Sequence, residues 1–240
     1  MNITAVIPAR YKSSRFEGKP LADIKGKPMI WWVYQRVKTV QGLDNIYIAT
    51  DDERIKDVCE KEKMPVIMTS EENPTPLNRI HEFSEKISCD WYICINGDEP
   101  MIEPDVISKA VEACRQNPNG YEVFNCMTTV KNPVELIDFT NLKIVVNSRG
   151  EGVYISRSPI PYPKNSLDFE YKKYVGITCL TKHALDFYAS RQRGVIERIE
   201  DNDLLRFIEN KFTVAFIDVN TDSLSVDTYK DLERVRKIIS

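Results

Sequence analysis

A loop rich in cationic side chains follows the first apolar run of a chain whose formal net charge is -3. The apolar run NITAVIP leads directly into ARYKSSRFEGKP, which holds Arg10, Arg15 and Lys19. Guanidinium groups bind phosphate oxygens in pairs, a lysine supplies a compact positive charge, and exposed loop amides add hydrogen-bond donors. These residue types at this spacing predict a binding site for a polyanion.

The loop matches neither of two common phosphate-binding motifs. It lacks the first glycine of a Walker A sequence, Pro20 stands where Ser or Thr would bind magnesium, and it is not a dinucleotide fingerprint. A solvated basic turn is the alternative, because a cluster of charges is often only a solvated surface. The position behind a predicted strand, together with Pro8, Gly18 and Pro20, favours a binding loop of defined shape.

Carboxylates follow a second apolar run, DWYICIN, in the sequence NGDEP. Asp98 is the predicted ligand of Mg²⁺, which prefers carboxylate and phosphate oxygens, and Glu99 is expected to point the other way, as alternate strand residues do. Asp227, before the closing helix, is the second candidate metal ligand, with a helix N-cap as the alternative. For Asp51 and Asp52 in TDDERI we predict helix caps.

The sequence offers little for acid–base or thiol catalysis. His81 and His183 are the only histidines, each lies in a helical pattern, and no reactive cysteine motif is present. Metal-assisted phosphoryl or nucleotidyl transfer needs neither group, because a metal ion activates a hydroxyl nucleophile and cations stabilise the departing charge. The residues therefore favour that reaction class.

The elements that must position these side chains alternate between strand and helix in the first half of the chain. Short apolar runs predict four buried strands, NITAVIP, NIYIAT, PVIMT and DWYICIN. The segments between them have helical spacing with polar faces, namely PMIWWVYQRVKTV, DDERIKDVCEKEK and LNRIHEFSEKI. This order predicts a Rossmann-like α/β fold with a mostly parallel sheet flanked by helices. Ligands of such sheets bind at the carboxyl ends of the strands.

From about residue 126 to 180 the pattern changes to successive strands, which we interpret as a β-rich insertion in a single domain over 1–240. Helices then resume, followed by the strand FTVAFIDV and an amphipathic closing helix. The weak acidity argues against a nucleic-acid partner, and no apolar run is long enough to span a membrane. Six cysteines without a CxxC pair, and an N-terminus without a leader pattern, predict a cytoplasmic protein.

Several motifs together resemble a known enzyme family. In order and spacing, IPARYKSSRFEGKPLADIKGKPMI, ATDDERI, NGDEPMI, LKIVVNSRGEGVYISRSPIPYP, KYVGI and VDTYKDLERVR resemble the 3-deoxy-D-manno-octulosonate (Kdo) cytidylyltransferases, or CMP-Kdo synthetases. The resemblance runs over nearly the whole chain. It implies a nucleotide-diphospho-sugar transferase fold, a homodimer formed through the β-rich region, and conversion of CTP and an acidic 2-keto sugar to a CMP-sugar and pyrophosphate. Such a product would serve a lipopolysaccharide or a capsule.

The resemblance also implies roles for individual residues. It assigns catalysis to Arg10, Lys19 and Asp98, and Mg²⁺ binding to Asp98 and Asp227. The CTP-binding residues that it implies are Pro8, Ala9, Arg10, Arg15, Lys19 and Arg79. The implied acceptor-binding residues are Arg157, Tyr174, Glu197 and Glu200.

The departures from the family pattern cluster at the nucleotide-base loop and the acceptor pocket. TPLNR replaces Ser-Gly-Thr-acid-Arg, Asn96 replaces a glutamine, Tyr174 a histidine, Thr178 a tyrosine, and Asp203 and Leu204 a glutamate and a glutamine. A polar site that loses hydrogen-bonding groups rejects its original substrate. The resemblance implies Kdo or a close relative as the acceptor, and these departures give an amino-substituted octulosonate, a nonulosonate or a phosphonate as the alternatives. Because Pro76 stiffens the altered loop, a catalytically silent nucleotide-binding protein is a further alternative.

Overall fold

The computed structural model describes residues 1–12, 16–166 and 168–239, so Arg15 lies outside the described residues. The strands are β1 (Ile3–Ala9), β2 (Asp23–Ile24), β3 (Lys27–Pro28), β4 (Asn45–Thr50), β5 (Val66–Met68), β6 (Trp91–Ile95), β7 (Val123–Thr129), β8 (Lys143–Val146), β9 (Gly152–Ser156), β10 (Lys172–Leu180) and β11 (Ala215–Asp218). The helices are α1 (Met29–Lys38), α2 (Glu53–Lys61), α3 (Pro76–Lys86), α4 (Pro104–Gln116), α5 (Pro133–Ile137), α6 (Lys182–Ser190), α7 (Val195–Glu200), α8 (Leu204–Glu209) and α9 (Tyr229–Ile238).

The main sheet confirms the predicted α/β fold. Its central path runs β11-β7-β10-β6-β1-β4-β5. Strands β6, β1, β4 and β5 pair in parallel, β7 pairs in parallel with β11, and β10 is antiparallel to both of its neighbours. Because β1 and β6 are parallel neighbours, the loops that follow them leave the sheet at the same edge, as the sequence predicts.

The β-rich region is built differently from the insertion that the sequence suggests. Strands β7 and β10 belong to the central path of the sheet, and only β8 and β9 lie off it, joined to β10 through β8. Most of β7 and the second half of β10 are buried, as the strands of the first half are. Apolar runs of this kind identify strands but carry no information about which sheet position each strand takes.

Helices cover both faces of the sheet. Alternate residues of β1 divide between two cores: Ile3, Ala5 and Ile7 belong to one, and Val6 to the other. The first core includes buried residues of α1, α2 and α4, and the second includes residues of α3, α6 and α8. This division follows from the period of two along a strand.

A third, smaller core holds the C-terminal helix beside the cationic loop. Phe16 from that loop and Ile24 from β2 pack with Val226, Leu232 and Val235. The packing brings residues 219–228 next to the loop that follows β1. Among the described residues, no helix combines the length and apolar character required to cross a membrane.

The helix caps decide between alternatives for three acidic residues. Asp52 caps α2 by accepting from the Arg54 amide, as predicted, whereas Asp51 accepts from Arg79 Nη2 at 2.6 Å and caps nothing. The alternative role of Asp227 as a helix N-cap is wrong, because Thr228 caps α9 in a capping box with Asp231. Neither Asp51 nor Asp227 therefore serves as a helix cap.

Candidate active site

A cavity of about 210 Å³ opens at the carboxyl edge of the sheet. The loops after β1 and β6, the turn before α3 and the segment before α9 line it, with Pro8, Ala9, Arg10, Lys19, Pro20, Asn73, Thr75, Pro76, Arg79, Asn96, Gly97, Asp98 and Asp227. Every described residue predicted to bind nucleotide or metal is in this set. The structure thus brings together side chains that are distant in the sequence.

Lys19 and two carboxylates form an ion cluster in this cavity. Lys19 Nζ lies 2.7 Å from Asp98 Oδ2 and 3.6 Å from Asp227 Oδ1. Lys19 begins a short 3₁₀ turn behind Gly18, whose φ of 68° is in the left-handed region that favours glycine. The Gly18 amide donates to the Tyr11 carbonyl at 2.9 Å, which brings together two parts of the loop and turns Lys19 toward Asp98.

Asp98 has the features of a ligand for a hard cation. Its Oδ1 is buried and has no hydrogen-bond partner among the described residues, although a buried carboxylate oxygen is costly unless it is paired. Gly97 lets the turn lie against β1, since a Cβ at this position would stand 2.9 Å from the Pro8 carbonyl oxygen. An unpaired Asp98 oxygen beside the Asp227 carboxylate is a donor set that fits Mg²⁺.

Asp98 lines the first cavity and Glu99 does not, but the strand alternation expected for the two residues does not apply to them. Strand β6 ends at Ile95, before both residues, and Asp98, Glu99 and Asp227 all line a second cavity of about 260 Å³. Glu99 is 7% exposed and accepts a hydrogen bond from Ser223 Oγ at 3.1 Å. Burial, and then the negative charge of Asp98, raises the pKa of Glu99 to about 7.

Arg79 borders the first cavity from the first turn of α3. Its Nη1 donates to Thr69 Oγ1 and its Nη2 to Asp51, so the guanidinium is held in place. Thr75 caps this helix by accepting from the Asn78 amide. Pro76 follows at the start of the helix, where the missing N–H costs nothing. The altered TPLNR sequence therefore forms a regular helix start.

A third cavity, of about 290 Å³, contains the predicted acceptor residues Arg157 and Tyr174. Arg157 Nε donates to the Glu200 carbonyl at 2.8 Å, and its Nη1 donates to the Phe139 carbonyl at 3.1 Å. The Glu200 carboxylate accepts from the Arg157 amide at 2.8 Å and from Ser156 Oγ at 2.6 Å. Glu200, predicted to bind the acceptor, therefore lies behind Arg157 and holds it.

Glu197 is placed away from all three cavities. It is fully buried, and its two carboxylate oxygens accept from Arg206 Nε at 2.7 Å and Nη2 at 2.6 Å. Arg206 Nη1 also donates to the Tyr188 carbonyl. Glu197 therefore forms a structural ion pair with Arg206 and not the acceptor contact that the resemblance implies, because it lines none of these cavities.

Two functional candidates were missed in the prediction from sequence. Asp203 lines the third cavity, and burial followed by the charge of Glu197 raises its pKa to about 6. In the sequence Asp203 is marked only as a departure from the family pattern, within the helical stretch IERIEDNDLLR. Ser223 lies in a segment without regular structure, and its sequence carries no signal for its contact with Glu99.

The comparisons with known proteins agree over the full chain. The family model described as cytidylyltransferase matches residues 4–232. The 3-deoxy-manno-octulosonate cytidylyltransferase, mitochondrial, of Arabidopsis thaliana is 38% identical, with 99% of this chain and 83% of that protein covered. An 8-amino-3,8-dideoxy-manno-octulosonate cytidylyltransferase of Shewanella baltica (strain OS155 / ATCC BAA-1091) is 36% identical, with 98% and 97% covered.

A solved structure described as CMP:2-keto-3-deoxy-manno-octonic acid synthetase complexed with CTP is 35% identical to the chain, with a TM-score of 0.94. It covers 100% of this chain, which covers 98% of that one. A putative glucose-1-phosphate thymidylyltransferase from Bacillus anthracis, 15% identical with a TM-score of 0.71 and coverages of 98% and 94%, shares the fold. The resemblance found in the sequence is confirmed: the chain belongs to the cytidylyltransferase family.

Proposed function

We propose that this protein converts CTP and an acidic 2-keto sugar of the Kdo type to a CMP-sugar and pyrophosphate. One observation carries the proposal: Arg10, Lys19, Asp98 and Asp227, which stand in three separate parts of the sequence, line one cavity at the carboxyl edge of the sheet. The relatives named for this reaction on Kdo or on its 8-amino derivative match the chain over nearly its full length.

In this reaction the anomeric hydroxyl oxygen of the sugar loses its proton to water and bonds to the α-phosphorus of CTP, and the bond from that phosphorus to the bridging oxygen of pyrophosphate breaks. Arg10 and Lys19 bind phosphate oxygens and offset the negative charge that grows on the leaving group. Asp98 and Asp227 would hold Mg²⁺, which supplies further electrophilic stabilisation of the phosphoryl oxygens when bound. Arg79 lies on the nucleotide side, fixed by Asp51.

Arg157 is the proposed partner of the acceptor carboxylate. Its guanidinium lines both the second and the third cavity, next to Tyr174. The main-chain carbonyls of Phe139 and Glu200 orient it without neutralising its charge. A fixed guanidinium of this kind binds a planar carboxylate in a defined orientation. The outer part of the sugar then lies in the third cavity, where Asp203 and Thr178 are polar contacts.

Pyrophosphate release by the purified protein with Mg²⁺ and CTP tests the reaction. Kdo, 8-amino-3,8-dideoxy-manno-octulosonate and a panel of other 2-keto sugar acids are compared, and UTP replaces CTP in a parallel series. We expect release with one of the two octulosonates. Release only with another acid would move the proposal to that acceptor, and CTP binding without turnover on the whole panel would overturn it.

We propose further that the protein is a homodimer associating through the region around Arg157. Large apolar side chains there are between 43% and 86% exposed, namely Val134, Ile137, Phe139, Val153, Tyr162, Phe169, Val195 and Ile199. Arg157 donates to the carbonyls of Phe139 and Asp201, so the turn after α5 and the end of α7 lie side by side. Exposed large apolar side chains that cluster are typical of an association surface.

Light scattering after size exclusion tests the dimer. We expect a mass of two chains for the wild type and of one chain for Ile199→Asp, because a carboxylate in a buried apolar contact is unfavourable. Ile238→Asp changes an exposed isoleucine of α9 and should leave the mass unchanged. A single-chain mass for the wild type at micromolar concentration would contradict the proposal.

A further inference from the structure

The segment that carries Asp227 has no regular secondary structure. Residues 219–227 follow β11 and end at the capped start of α9. Two hydrogen bonds join this segment to the turn after β6: the Val226 amide donates to the Asp98 carbonyl at 2.8 Å, and Ser223 Oγ donates to Glu99 Oε2 at 3.1 Å. The position of Asp227 relative to Asp98 therefore depends on these two contacts and on the small core around Val226.

Glu99 is enclosed between this segment and β10. A Cβ at residue 176 would stand 2.3 Å from Glu99 Oε1, so the carboxylate lies against the β10 backbone. Gly176 is thus the residue that makes room for the carboxylate. A buried carboxylate that packs against β10 and bonds to residue 223 sets the distance between the sheet and the segment.

We propose that Glu99 is a positioning residue, which holds the 219–228 segment through Ser223 and so places Asp227 opposite Asp98 and Lys19. The inference rests on the proposed function, because it concerns the pair of carboxylates that would hold Mg²⁺. Removal of a group that orients a metal ligand weakens metal binding about tenfold. Glu99 acts through Ser223 and Asp227 and does not itself contact substrate.

The geometry favours this role over simple filling of the core. A carboxyl group is a costly choice for a position that is 7% exposed, and an apolar side chain would fill the same space without that cost. Only a hydrogen-bond acceptor can bind the Ser223 hydroxyl. The bond joins the turn of one metal-site carboxylate to the segment of the other.

Ser223→Ala removes the hydrogen bond while leaving Glu99 and its packing against Gly176 in place, and Ser223→Thr keeps a hydroxyl. Asp222→Asn is the matched control, because it changes the adjacent residue, whose exposed carboxylate pairs with Lys131. Three quantities are measured for each variant: hydrogen exchange of the Val226 amide, Mn²⁺ binding in the presence of CTP by electron paramagnetic resonance, and kcat and KM for the acceptor.

For Ser223→Ala we expect faster exchange of the Val226 amide, Mn²⁺ binding weakened about tenfold, a lower kcat and an unchanged acceptor KM. Ser223→Thr and Asp222→Asn should behave as the wild type. Unchanged exchange, or faster exchange with unchanged Mn²⁺ affinity, would overturn the inference and leave the proposed function standing. A wild type that binds neither CTP nor Mn²⁺ with it would overturn the proposed function, and this inference with it.

Discussion

Two ion clusters in this protein are built from the same chemical groups but differ in how completely those groups are paired. In the first, Lys19 lies between Asp98 and Asp227, all partly exposed, and Asp98 Oδ1 has no hydrogen-bond partner among the described residues. In the second, Glu197 and Arg206 are buried and joined by two short hydrogen bonds, at 2.7 and 2.6 Å. The first has capacity for a ligand, and the second has none.

The difference shows how a structural ion pair is told from a functional one. A buried pair whose donors and acceptors are all used can only stabilise its surroundings, because any new ligand must first break existing bonds. An incompletely paired carboxylate beside a cavity retains an affinity for a cation. Both clusters contain residues that the family resemblance marks as functional, and only their surroundings separate them.

The largest effect is expected from Asp98→Asn. The amide removes the negative charge that faces Lys19 and the proposed metal position, so we expect turnover to fall by about a thousandfold or more, as for other groups that stabilise transition-state charge. The thermal midpoint should change little, since Asp98 is partly exposed. Pyrophosphate release and a thermal melt measure the two quantities, with Asp57→Asn on α2 as the exposed control. Retained turnover would contradict the metal assignment.

The second cluster should respond in the opposite way. Glu197→Ala leaves the Arg206 guanidinium buried without its carboxylate, and we expect a loss of about 3–5 kcal/mol in the free energy of unfolding. A double variant with methionine at both positions should recover most of that loss, because no fully buried charge remains and Arg193, which also pairs with Glu197, keeps its contact with Asp201. Urea unfolding measures both variants. A single variant of normal stability would show that the pair contributes nothing to the fold.

Arg157→Ala should separate acceptor binding from nucleotide binding. Loss of a charged hydrogen-bond partner for the acceptor carboxylate costs about 1.5–3 kcal/mol, or roughly a tenfold to hundredfold rise in acceptor KM. The KM for CTP should stay within about twofold of the wild-type value, a much smaller change than a tenfold loss of affinity. Steady-state kinetics with each substrate varied in turn decide this. An equal rise in both KM values would mean that Arg157 organises the site as a whole.

The smallest effect concerns Asp203 and depends on pH. Its pKa is raised to about 6 in the folded protein, so the ionised carboxylate destabilises the fold as pH rises from about 4 to 6, and the penalty persists above that range. Asp203→Asn should therefore increase the free energy of unfolding at pH 8 by roughly 1–3 kcal/mol and leave it unchanged at pH 4. Urea unfolding at both pH values tests this, and an equal change at both would contradict the titration argument.

Much of the nucleotide side could be predicted from the sequence. Arg10, Lys19 and Asp98 follow apolar runs whose order identifies a parallel sheet, and parallel neighbours place their following loops at one edge. The acceptor side was less predictable. The third cavity is lined by β10, the residues just after α7, the start of α8 and the turn before α3. No periodicity in the sequence relates such segments, so Glu197 and Glu200 could not be told from direct contacts.

The sequence by itself determined most of the main strands and helices, though not α4, together with the edge of the sheet at which ligands bind and the family to which the chain belongs. These depend on local patterns and on motifs that are continuous along the chain. Only the tertiary structure decided that β7 and β10 complete the central sheet, that Glu99 faces Ser223, and that Glu197 pairs with Arg206. Such pairings join residues distant in the sequence, and their energies depend on burial and geometry that appear only when the chain has folded.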